Sequence, residues 1–305
     1  MRIAIIGIGG VGGYFGGKLA RKFENSTEHE IIFIARGEHL KAIRENGLQL
    51  ITREGNYIAR PKIATDDPVE AGIFDLVFFC TKSYSLESTA RKFSACVNKN
   101  TVAIPLQNGV NSAQILRNVL PQAKVLGGSV YIISHIEKPG VIHQEDGACK
   151  LTFGTDDAQS TKKYSYILDI LLQAKINAVL TDKISEALWT KYLLMCPLAS
   201  LMSATGKTYG AVWADASLKK KARDMMLEVA AVAKAHHVYL PESTVDKAME
   251  MLAAFGYDSK TSMQLDREKG RQTEIDALTA YMCKAGKESG IPTPLHDEVY
   301  AQLIK

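Results

Sequence analysis

Cysteine is scarce in this sequence, and the few cysteines show no pattern. Five of the 305 residues are cysteine, and none belongs to a CxxC pair or a paired spacing. An odd, unpatterned set favours free thiols in a reducing compartment over a disulfide scaffold. His236 and His237 do not make a metal pair, because adjacent helix positions point to different faces. We therefore expect no metal site.

Excess charge and long apolar runs are also missing. The formal net charge is +4, and the densest basic run, Lys219–Lys221 with Arg223, is typical of the solvated face of a helix. Nucleic-acid and membrane partners usually require a clustered basic stripe, so we expect neither. No stretch approaches the ~20 apolar residues of a membrane span. Met1–Gly7 has the pattern of a buried strand and not of a signal peptide, which favours a cytoplasmic protein.

Strand-like and helical patterns alternate in the first half of the chain. Short, nearly continuous apolar runs are typical of strands covered on both faces. They occupy Ile3–Ile6, Ile31–Ala35, Leu76–Thr81, Val102–Leu106 and Val125–Ile133. Helical segments lie between them at Gly10–Lys22, Leu86–Val97 and Ser112–Val119. This alternation predicts an α/β fold in which right-handed crossovers build a doubly wound parallel sheet.

From about residue 183 the pattern is helical almost to the end of the chain. The helical stretches are Ile184–Met202, Ser217–His236, Ser243–Phe255 and Arg271–Ser289, and a short helix follows Pro294. In the second stretch an apolar face with helical spacing is expected to meet a core; it consists of Met225, Met226, Val229, Val232 and Ala233. We therefore expect a Rossmann-type domain over residues 1–181 and an all-helical domain over residues 182–305.

The first strand is followed by a glycine-rich turn that matches GxGxxG. The turn is Gly7-Ile8-Gly9-Gly10-Val11-Gly12, and it opens the first helix. The first glycine allows a tight turn, the second lets pyrophosphate approach the backbone, and the third permits close helix–strand packing. The helix N-terminus then offers unpaired N–H groups to phosphates. In this context the motif predicts dinucleotide binding, although a glycine-rich turn without a ligand is the plainer alternative.

The residue at the end of the second strand indicates whether the site prefers NAD or NADP. A site that prefers NAD usually has an acidic residue there to hold the ribose 2′-hydroxyl, but this chain has Arg36. A guanidinium suits a 2′-phosphate through paired hydrogen bonds, so we predict NADP(H). The alternative is that Arg36 is a surface residue and Glu38 meets the ribose.

Two further loops follow predicted strands, where open α/β sheets bind their ligands. Lys82 lies in the loop Cys80–Ser83, and Asn108 lies in the loop Leu106–Val110. Lys82 is a candidate for the cofactor site, and the Asn108 side chain for the nicotinamide or the substrate. An Asn-Gly pair is equally typical of a plain turn.

A single charge, Lys191, lies in the nearly apolar run Ala187–Pro197 (ALWTKYLLMCP). Burying an ammonium group costs several kcal/mol unless it is compensated. Lys191 could snorkel at the helix edge with its stem over apolar surface. It could instead be buried, in which case desolvation would lower its pKa from about 10.4. Pro197 lacks an N–H and is expected to kink this helix or disturb its hydrogen bonds.

Taken in order along the chain, these motifs resemble the ketopantoate reductase (2-dehydropantoate 2-reductase) family. The matching motifs are the GxGxxG start, Thr81-Lys82, Gln107-Asn108-Gly109, Trp189-x-Lys191, Thr261-Ser262-Met263 and Thr273-Glu274-Ile275-Asp276. The resemblance covers essentially the whole chain. It implies an NADPH-dependent reduction of ketopantoate to pantoate, in pantothenate and coenzyme A biosynthesis.

The resemblance also implies two catalytic residues. Lys191 would be the general acid that protonates the carbonyl oxygen as hydride arrives at the keto carbon. Glu274 would lie near the cofactor and the reacting oxygen, where it would oppose the lowering of the lysine pKa. The sequence alone does not say which effect prevails, and a solvated helix charge is the plain alternative for Glu274.

Binding residues follow from the same resemblance. Asn108 matches an asparagine shared between cofactor and substrate, and Lys82 matches a lysine of the cofactor site. The backbone near Ile132 matches a further cofactor contact. Ser262 begins a substrate-contacting segment that would run to Leu265.

The sequence departs from the family at the substrate positions. The family usually has asparagines four and eight residues after the catalytic lysine, where this chain has Met195 and Ala199, and a third falls near Tyr209. A thioether barely forms hydrogen bonds. Ketopantoate is therefore the leading acceptor, with a different and more apolar 2-keto acid as the alternative.

A dinucleotide-binding sensor without turnover is the alternative outside enzyme chemistry. The set of Lys191, Glu274 and Asn108 argues against it. Nothing in the chain demands an oligomer, although the helical domain could form a homodimer.

Overall fold

The computed structural model of this chain describes residues 1–145 and 148–305 and divides into two compact units. The first unit comprises Met1–Gln107 and Asn111–Ile184, and the second comprises Ser185–Lys305 together with Asn108–Val110. Between these units the chain passes from Ile184 to Ser185. The tripeptide that contains Asn108 belongs with the helical unit, which no local pattern indicated.

The secondary structure is numbered in chain order over the described residues. The strands are β1 (Arg2–Ile6), β2 (Glu30–Ile34), β3 (Leu48–Thr52), β4 (Gly55–Ala59), β5 (Ile63–Thr65), β6 (Leu76–Phe79), β7 (Val102–Pro105), β8 (Lys124–Val125), β9 (Gly127–Lys138), β10 (Val141–Gly154) and β11 (Asn177–Thr181). The helices of the first unit are α1 (Gly10–Phe23), α2 (Gly37–Asn46), α3 (Pro68–Ala71), α4 (Leu86–Lys92), α5 (Ser112–Val119), α6 (Ala158–Lys162) and α7 (Ser165–Gln173). Those of the second are α8 (Ile184–Thr205), which begins at the boundary, α9 (Tyr209–Ala214), α10 (Ala216–Ala235), α11 (Thr244–Ala254), α12 (Ser262–Glu268), α13 (Tyr281–Ser289) and α14 (Pro294–Leu303).

The first unit contains the predicted parallel sheet. Its strand order is β5-β2-β1-β6-β7-β8, and all its pairings are parallel. Strands β6 and β7 are buried along their whole length, which explains why they have continuous apolar runs. The order reverses next to β1, so the carboxyl ends of β1, β2, β6 and β7 lie at the edge where such sheets bind ligands. The predicted doubly wound sheet is confirmed.

A second, mixed sheet was not predicted. Its strand order is β11-β10-β3-β4, and β9 pairs with β10 in an antiparallel hairpin. The run predicted as one strand at Val125–Ile133 is split, because β8 ends in the parallel sheet and β9 begins the other. Strands of the second sheet are half exposed: in β3, Leu48 and Leu50 are buried while Gln49 is exposed. Alternation with polar residues is the usual pattern of such strands, and it is weaker than a continuous apolar run.

The second unit is helical and is built around one apolar core. The face predicted for α10 is confirmed, since its members have no exposed surface; they are Met225, Met226, Val229, Val232 and Ala233. Helix α8 runs through Pro197 to Thr205, so the proline does not end it. The stretch predicted as one helix at Arg271–Ser289 begins only with a π-helical turn at Asp276–Ala280, which leads into α13. Among the residues that the structure describes, every helix is too short or too polar to span a bilayer.

A buried ion pair joins two helices of this unit. Glu228 on α10 accepts hydrogen bonds from the backbone N–H groups of Leu295 (2.9 Å) and His296 (3.2 Å) at the start of α14. Its carboxylate also contacts Nδ1 of the fully buried His296 at 2.6 Å. Burial alone would lower the pKa of His296, but interactions with Cys196 and Glu228 outweigh it and raise the pKa to about 9. The pair therefore holds the start of α14 against α10.

Replacing Glu228 tests this pair. Removing one partner of a buried ion pair costs about 3–5 kcal/mol, so we expect Glu228→Gln to lower the free energy of unfolding by that amount near pH 6. The folded-state pKa of His296 lies above its ordinary value of 6.5. Its contribution is therefore complete below that value and is lost as the pH rises through about 9. Urea denaturation at several pH values measures both effects.

A control lies one turn earlier on the same helix. Asp224 pairs with Lys220 at 2.5 Å, but the Lys220 side chain is exposed and Asp224 is only half-buried. Asp224→Asn should change the free energy of unfolding by no more than about 0.5 kcal/mol at any pH. Equal effects of Glu228→Gln and Asp224→Asn would contradict the proposed importance of the buried pair.

Candidate active site

The glycine-rich turn joins β1 to α1 in a conformation that needs glycine at its first position. Gly7 has φ +95°, and its N–H donates to the carbonyl of Ile34 at 2.9 Å. A Cβ at Gly12 would collide with the carbonyl oxygen of Gly7. These two glycines therefore serve the backbone of the turn itself.

The middle glycine has a different environment, which matches a dinucleotide ligand. Gly9 is the N-cap of α1 with φ −89°, and no side chain caps the helix. A Cβ at Gly9 would meet nothing within 4 Å, so neither packing nor backbone conformation demands glycine there. The turn thus leaves open space beside the N–H groups of a helix N-terminus, which is the arrangement that accepts pyrophosphate.

The remaining positions of the turn differ in their surroundings. Gly10 lies directly against the backbone of Ser134 on β9, where a Cβ would collide. Ile8 is buried, and Val11 is half-buried. Ile132, two residues before Ser134 on β9, is half-buried as well.

Arg36 and Glu38 both follow β2 and are exposed. Arg36 is the N-cap residue of α2, and Glu38 lies in the first turn of that helix. Among the described residues, no hydrogen bond or ion pair engages the Arg36 guanidinium. The arrangement is compatible with phosphate recognition by Arg36 and leaves the alternative, Glu38, open.

The loop after β6 packs on the glycine turn. A Cβ at Gly7 would lie 2.8 Å from the Thr81 nitrogen and 2.9 Å from its Cγ2 atom. Lys82 is half-buried and precedes a short 3₁₀ turn at Ser83–Ser85. The side-chain amide of Gln107 donates to the carbonyls of Phe79 and Thr81, at 3.0 Å each. Sequence reasoning gave Gln107 no role, although its position two residues beyond β7 was a signal.

Lys191 lies on α8 and is only 9% exposed. The next residues of the helix, Tyr192, Leu193 and Leu194, belong to the core of the helical unit. The snorkelling alternative is therefore wrong for this lysine, because almost all of its side chain is buried.

The amine of Lys191 is held by a polar pair. Lys191 Nζ donates to Asn108 Oδ1 at 2.9 Å, and Asn108 Nδ2 lies 3.5 Å from Glu274 Oε2. Glu274 is 4% exposed, so it is not the solvated helix charge that its neighbours suggested. It precedes the π-helical turn, where its carbonyl accepts from the N–H of Leu278 at 3.1 Å. The helical unit thus brings together the two predicted catalytic residues and Asn108.

Burial and charge act in opposite directions on this lysine. Burial lowers the pKa of Lys191, and the Glu274 carboxylate partly raises it, to a result of about 8. Desolvation therefore prevails, which the sequence left undecided. At neutral pH such an amine is mostly protonated and yet gives up its proton far more easily than an ordinary lysine.

The predicted substrate positions are divided between two helices. Met195 and Ala199 lie four and eight residues after Lys191 and so share its face of α8. Met195 is half-buried, and Ala199 is 2% exposed. Ser262 is exposed at the start of α12, where Thr261 accepts a hydrogen bond from the N–H of Gln264 at 3.2 Å. Within residues 1–145 and 148–305, no cluster of three or more His, Cys, Asp or Glu could hold a metal ion.

Family models match both parts of the chain. The model described as "Ketopantoate reductase PanE/ApbA" matches residues 3–157, and the one described as "Ketopantoate reductase PanE/ApbA C terminal" matches residues 183–305.

Curated relatives match along nearly their full length. A 2-dehydropantoate 2-reductase from Mesorhizobium japonicum is 29% identical over 322 residues, which cover 99% of this chain and 96% of the relative. YkpB of Bacillus subtilis, described as an uncharacterized oxidoreductase, is 25% identical over 303 residues, which cover 99% of this chain and 98% of the relative.

Solved structures match equally well. A PanE/ApbA family ketopantoate reductase from Ralstonia eutropha has a TM-score of 0.89 and 30% identity, with coverage of 100% of this chain and 97% of that one. D-mandelate dehydrogenase in a ternary structure with NADH and anilino(oxo)acetate, with a TM-score of 0.87, 23% identity and the same coverage, shares the fold. With models, relatives and structures agreeing over almost its whole length, the chain belongs to the ketopantoate reductase family of oxidoreductases.

Proposed function

We propose that this protein reduces a small 2-keto acid with NADPH to the corresponding 2-hydroxy acid, with ketopantoate as the leading acceptor. The observation that carries the proposal is the buried amine of Lys191, hydrogen-bonded to Asn108 at 2.9 Å. Such an amine, with a pKa near 8, is suited to protonate an oxygen that becomes strongly basic during the reaction.

The reaction needs a proton donor at the keto oxygen. Hydride addition to the keto carbon converts the C=O bond into a C–O bond and leaves the electron pair of the π bond on oxygen. Lys191 Nζ gives a proton to that oxygen, becomes neutral, and regains a proton from solvent after the hydroxy acid leaves. General-acid catalysis of this kind typically contributes ~10²–10⁴-fold in rate.

Asn108 and Glu274 prepare Lys191 for this step. The Oδ1 atom of Asn108 accepts from Nζ, and its amide group is oriented by the carboxylate of Glu274. This arrangement limits the rotamers open to the lysine. Glu274 also keeps enough of the amine protonated for donation, because its charge counteracts desolvation.

The first unit would hold the cofactor. A bound NADPH supplies the hydride. Gly9 and the N-terminus of α1 would receive the pyrophosphate, Arg36 the 2′-phosphate, and Lys82 and the backbone near Ile132 the remaining polar groups. The open space at Gly9 supports the first of these assignments, and the Arg36 guanidinium, unengaged among the described residues, supports the second.

A panel of 2-keto acids assayed with NADPH and NADH tests the proposal. We expect consumption of reduced cofactor with at least one acceptor, and a lower dissociation constant for NADPH than for NADH. Lys191→Met should lose roughly 10²-fold or more in kcat, because it removes the proton donor, while it still binds NADPH. Cofactor fluorescence follows both turnover and binding.

Two outcomes of these assays would contradict parts of the proposed function. Equal dissociation constants for NADPH and NADH would remove the assignment of Arg36 to the 2′-phosphate. Tight cofactor binding without turnover of any acceptor would favour a dinucleotide sensor over a reductase.

A second candidate acceptor follows from the face of α8. A helical side chain covers the surface over the turn before its own Cα, so Met195 covers the surface next to Lys191. A thioether and a methyl group offer no hydrogen-bond donor. A 2-keto acid whose side chain lacks a hydroxyl would suit this face better than ketopantoate.

A pair of acceptors that differ by one hydroxyl distinguishes the two candidates. Ketopantoate and 3,3-dimethyl-2-oxobutanoate are such a pair, and an apolar site rejects an added hydroxyl by up to ~10²-fold. If the second candidate holds, kcat/KM is higher for the compound without the hydroxyl. The double variant Met195→Asn, Ala199→Asn should shift the ratio about tenfold toward ketopantoate, whereas Met195→Leu should leave it unchanged. A wild-type preference for ketopantoate would reject the second candidate.

A further inference from the structure

Two buried side chains bridge the neighbouring strands β6 and β7, one at each end of the pair. At the carboxyl ends, Gln107 is 5% exposed, and its Nε2 donates to the carbonyls of Phe79 and Thr81. At the amino ends, Thr101 has no exposed surface, and its Oγ1 donates to the carbonyl of Phe74 at 2.6 Å. The two bridges join the same strands at opposite edges of the sheet.

The two bridging side chains differ in whether all of their polar atoms have hydrogen-bond partners. Thr101 Oγ1 also accepts a hydrogen bond from the N–H of Asn98 at 3.0 Å. By contrast, Gln107 Oε1 is buried without a hydrogen-bond partner among the described residues, and so is Thr81 Oγ1. A buried polar atom without a partner lowers stability. Conflicts of this kind are expected where function and not stability sets the structure.

Gln107 fixes a segment that touches the glycine turn. Its side-chain amide donates two hydrogen bonds of 3.0 Å each. One goes to the carbonyl oxygen of Phe79, the last residue of β6, and the other to that of Thr81. The nitrogen and Cγ2 of Thr81 in turn pack against Gly7. Without this amide, the carbonyl of Thr81 would lose a buried donor, and the loop that carries Lys82 could move away from the turn.

We propose that Gln107 is a positioning residue that holds the Thr81–Lys82 loop against the glycine turn, so that the dinucleotide site exists before the cofactor arrives. This role rests on the proposed use of a nicotinamide dinucleotide by the first unit. Preformed sites bind more tightly because the ordering of the loop does not oppose binding.

The experiment compares Gln107→Met with Thr101→Val. Each variant removes one buried bridge between β6 and β7 with little change in volume, so both should lower the melting temperature. Only Gln107→Met should weaken NADPH binding, by about tenfold, as expected for the loss of two buried hydrogen bonds. Thr101→Val should bind NADPH within about twofold of wild type. Fluorescence titration of the full-length protein gives both dissociation constants.

A second variant, Gln107→Glu, adds a measurement of how NADPH binding depends on pH. A general loss of stability would not produce such a dependence. A carboxyl group facing two carbonyl oxygens can donate only while it is protonated. The ratio of the variant's NADPH dissociation constant to that of wild type should therefore rise with pH as this carboxyl group loses its proton, at a pH that burial shifts above the ordinary glutamate pKa of about 4.3. A ratio that stays constant with pH would count against the positioning role.

The experiments distinguish a failure of the positioning role of Gln107 from a failure of the proposed reductase function. Normal NADPH binding by Gln107→Met, or equal weakening by Thr101→Val, would overturn the positioning role and leave the reductase intact. Wild-type protein that binds neither NADPH nor NADH would overturn the proposed function and the positioning role together.

Discussion

A buried ammonium group is the constraint on which the helical unit depends. Lys191 lies on a helix whose neighbouring residues form an apolar core, and a charge there is unfavourable without compensation. The compensation is a hydrogen bond to Asn108 and the charge of Glu274, which is itself 4% exposed. Removing either would leave the amine less favourable in its charged form. Ionisable groups with strongly shifted pKa values cluster at functional sites, which supports the proposed role of Lys191 as a proton donor.

The sequence predicted those features that depend on local patterns. Continuous apolar runs located β1, β2, β6 and β7, because strands covered on both faces have no polar alternation. The GxGxxG spacing located the glycine turn, whose geometry follows from a few adjacent residues. The apolar spacing of α10 correctly identified its buried face. Lys191 was identifiable because a lone charge in an apolar run is uncommon.

Features that depend on distant residues were not predictable in the same way. The mixed sheet pairs β3, β9 and β10 from separate parts of the chain. Their alternation of buried and exposed residues is a weaker sequence signal for a strand than a continuous apolar run. The burial of Glu274 depends on a non-helical approach to a π-helical turn, whereas its neighbours are charged and largely exposed. Asn108 and Lys191 are 83 residues apart, so no local pattern shows that one holds the other. The bridging role of Gln107 likewise needs the register of two strands.

The most direct test of the account is the pKa of the Lys191 amine, measured by NMR titration of lysine-labelled protein with assignment from Lys191→Met. We expect a midpoint of about 8, and a lower one in Glu274→Gln, because the charge that favours the ammonium form is removed. Keto-acid reduction, which needs the protonated amine, should then fall as the pH rises through the same midpoint. A midpoint near the ordinary value of 10.5, unchanged by Glu274→Gln, would contradict it.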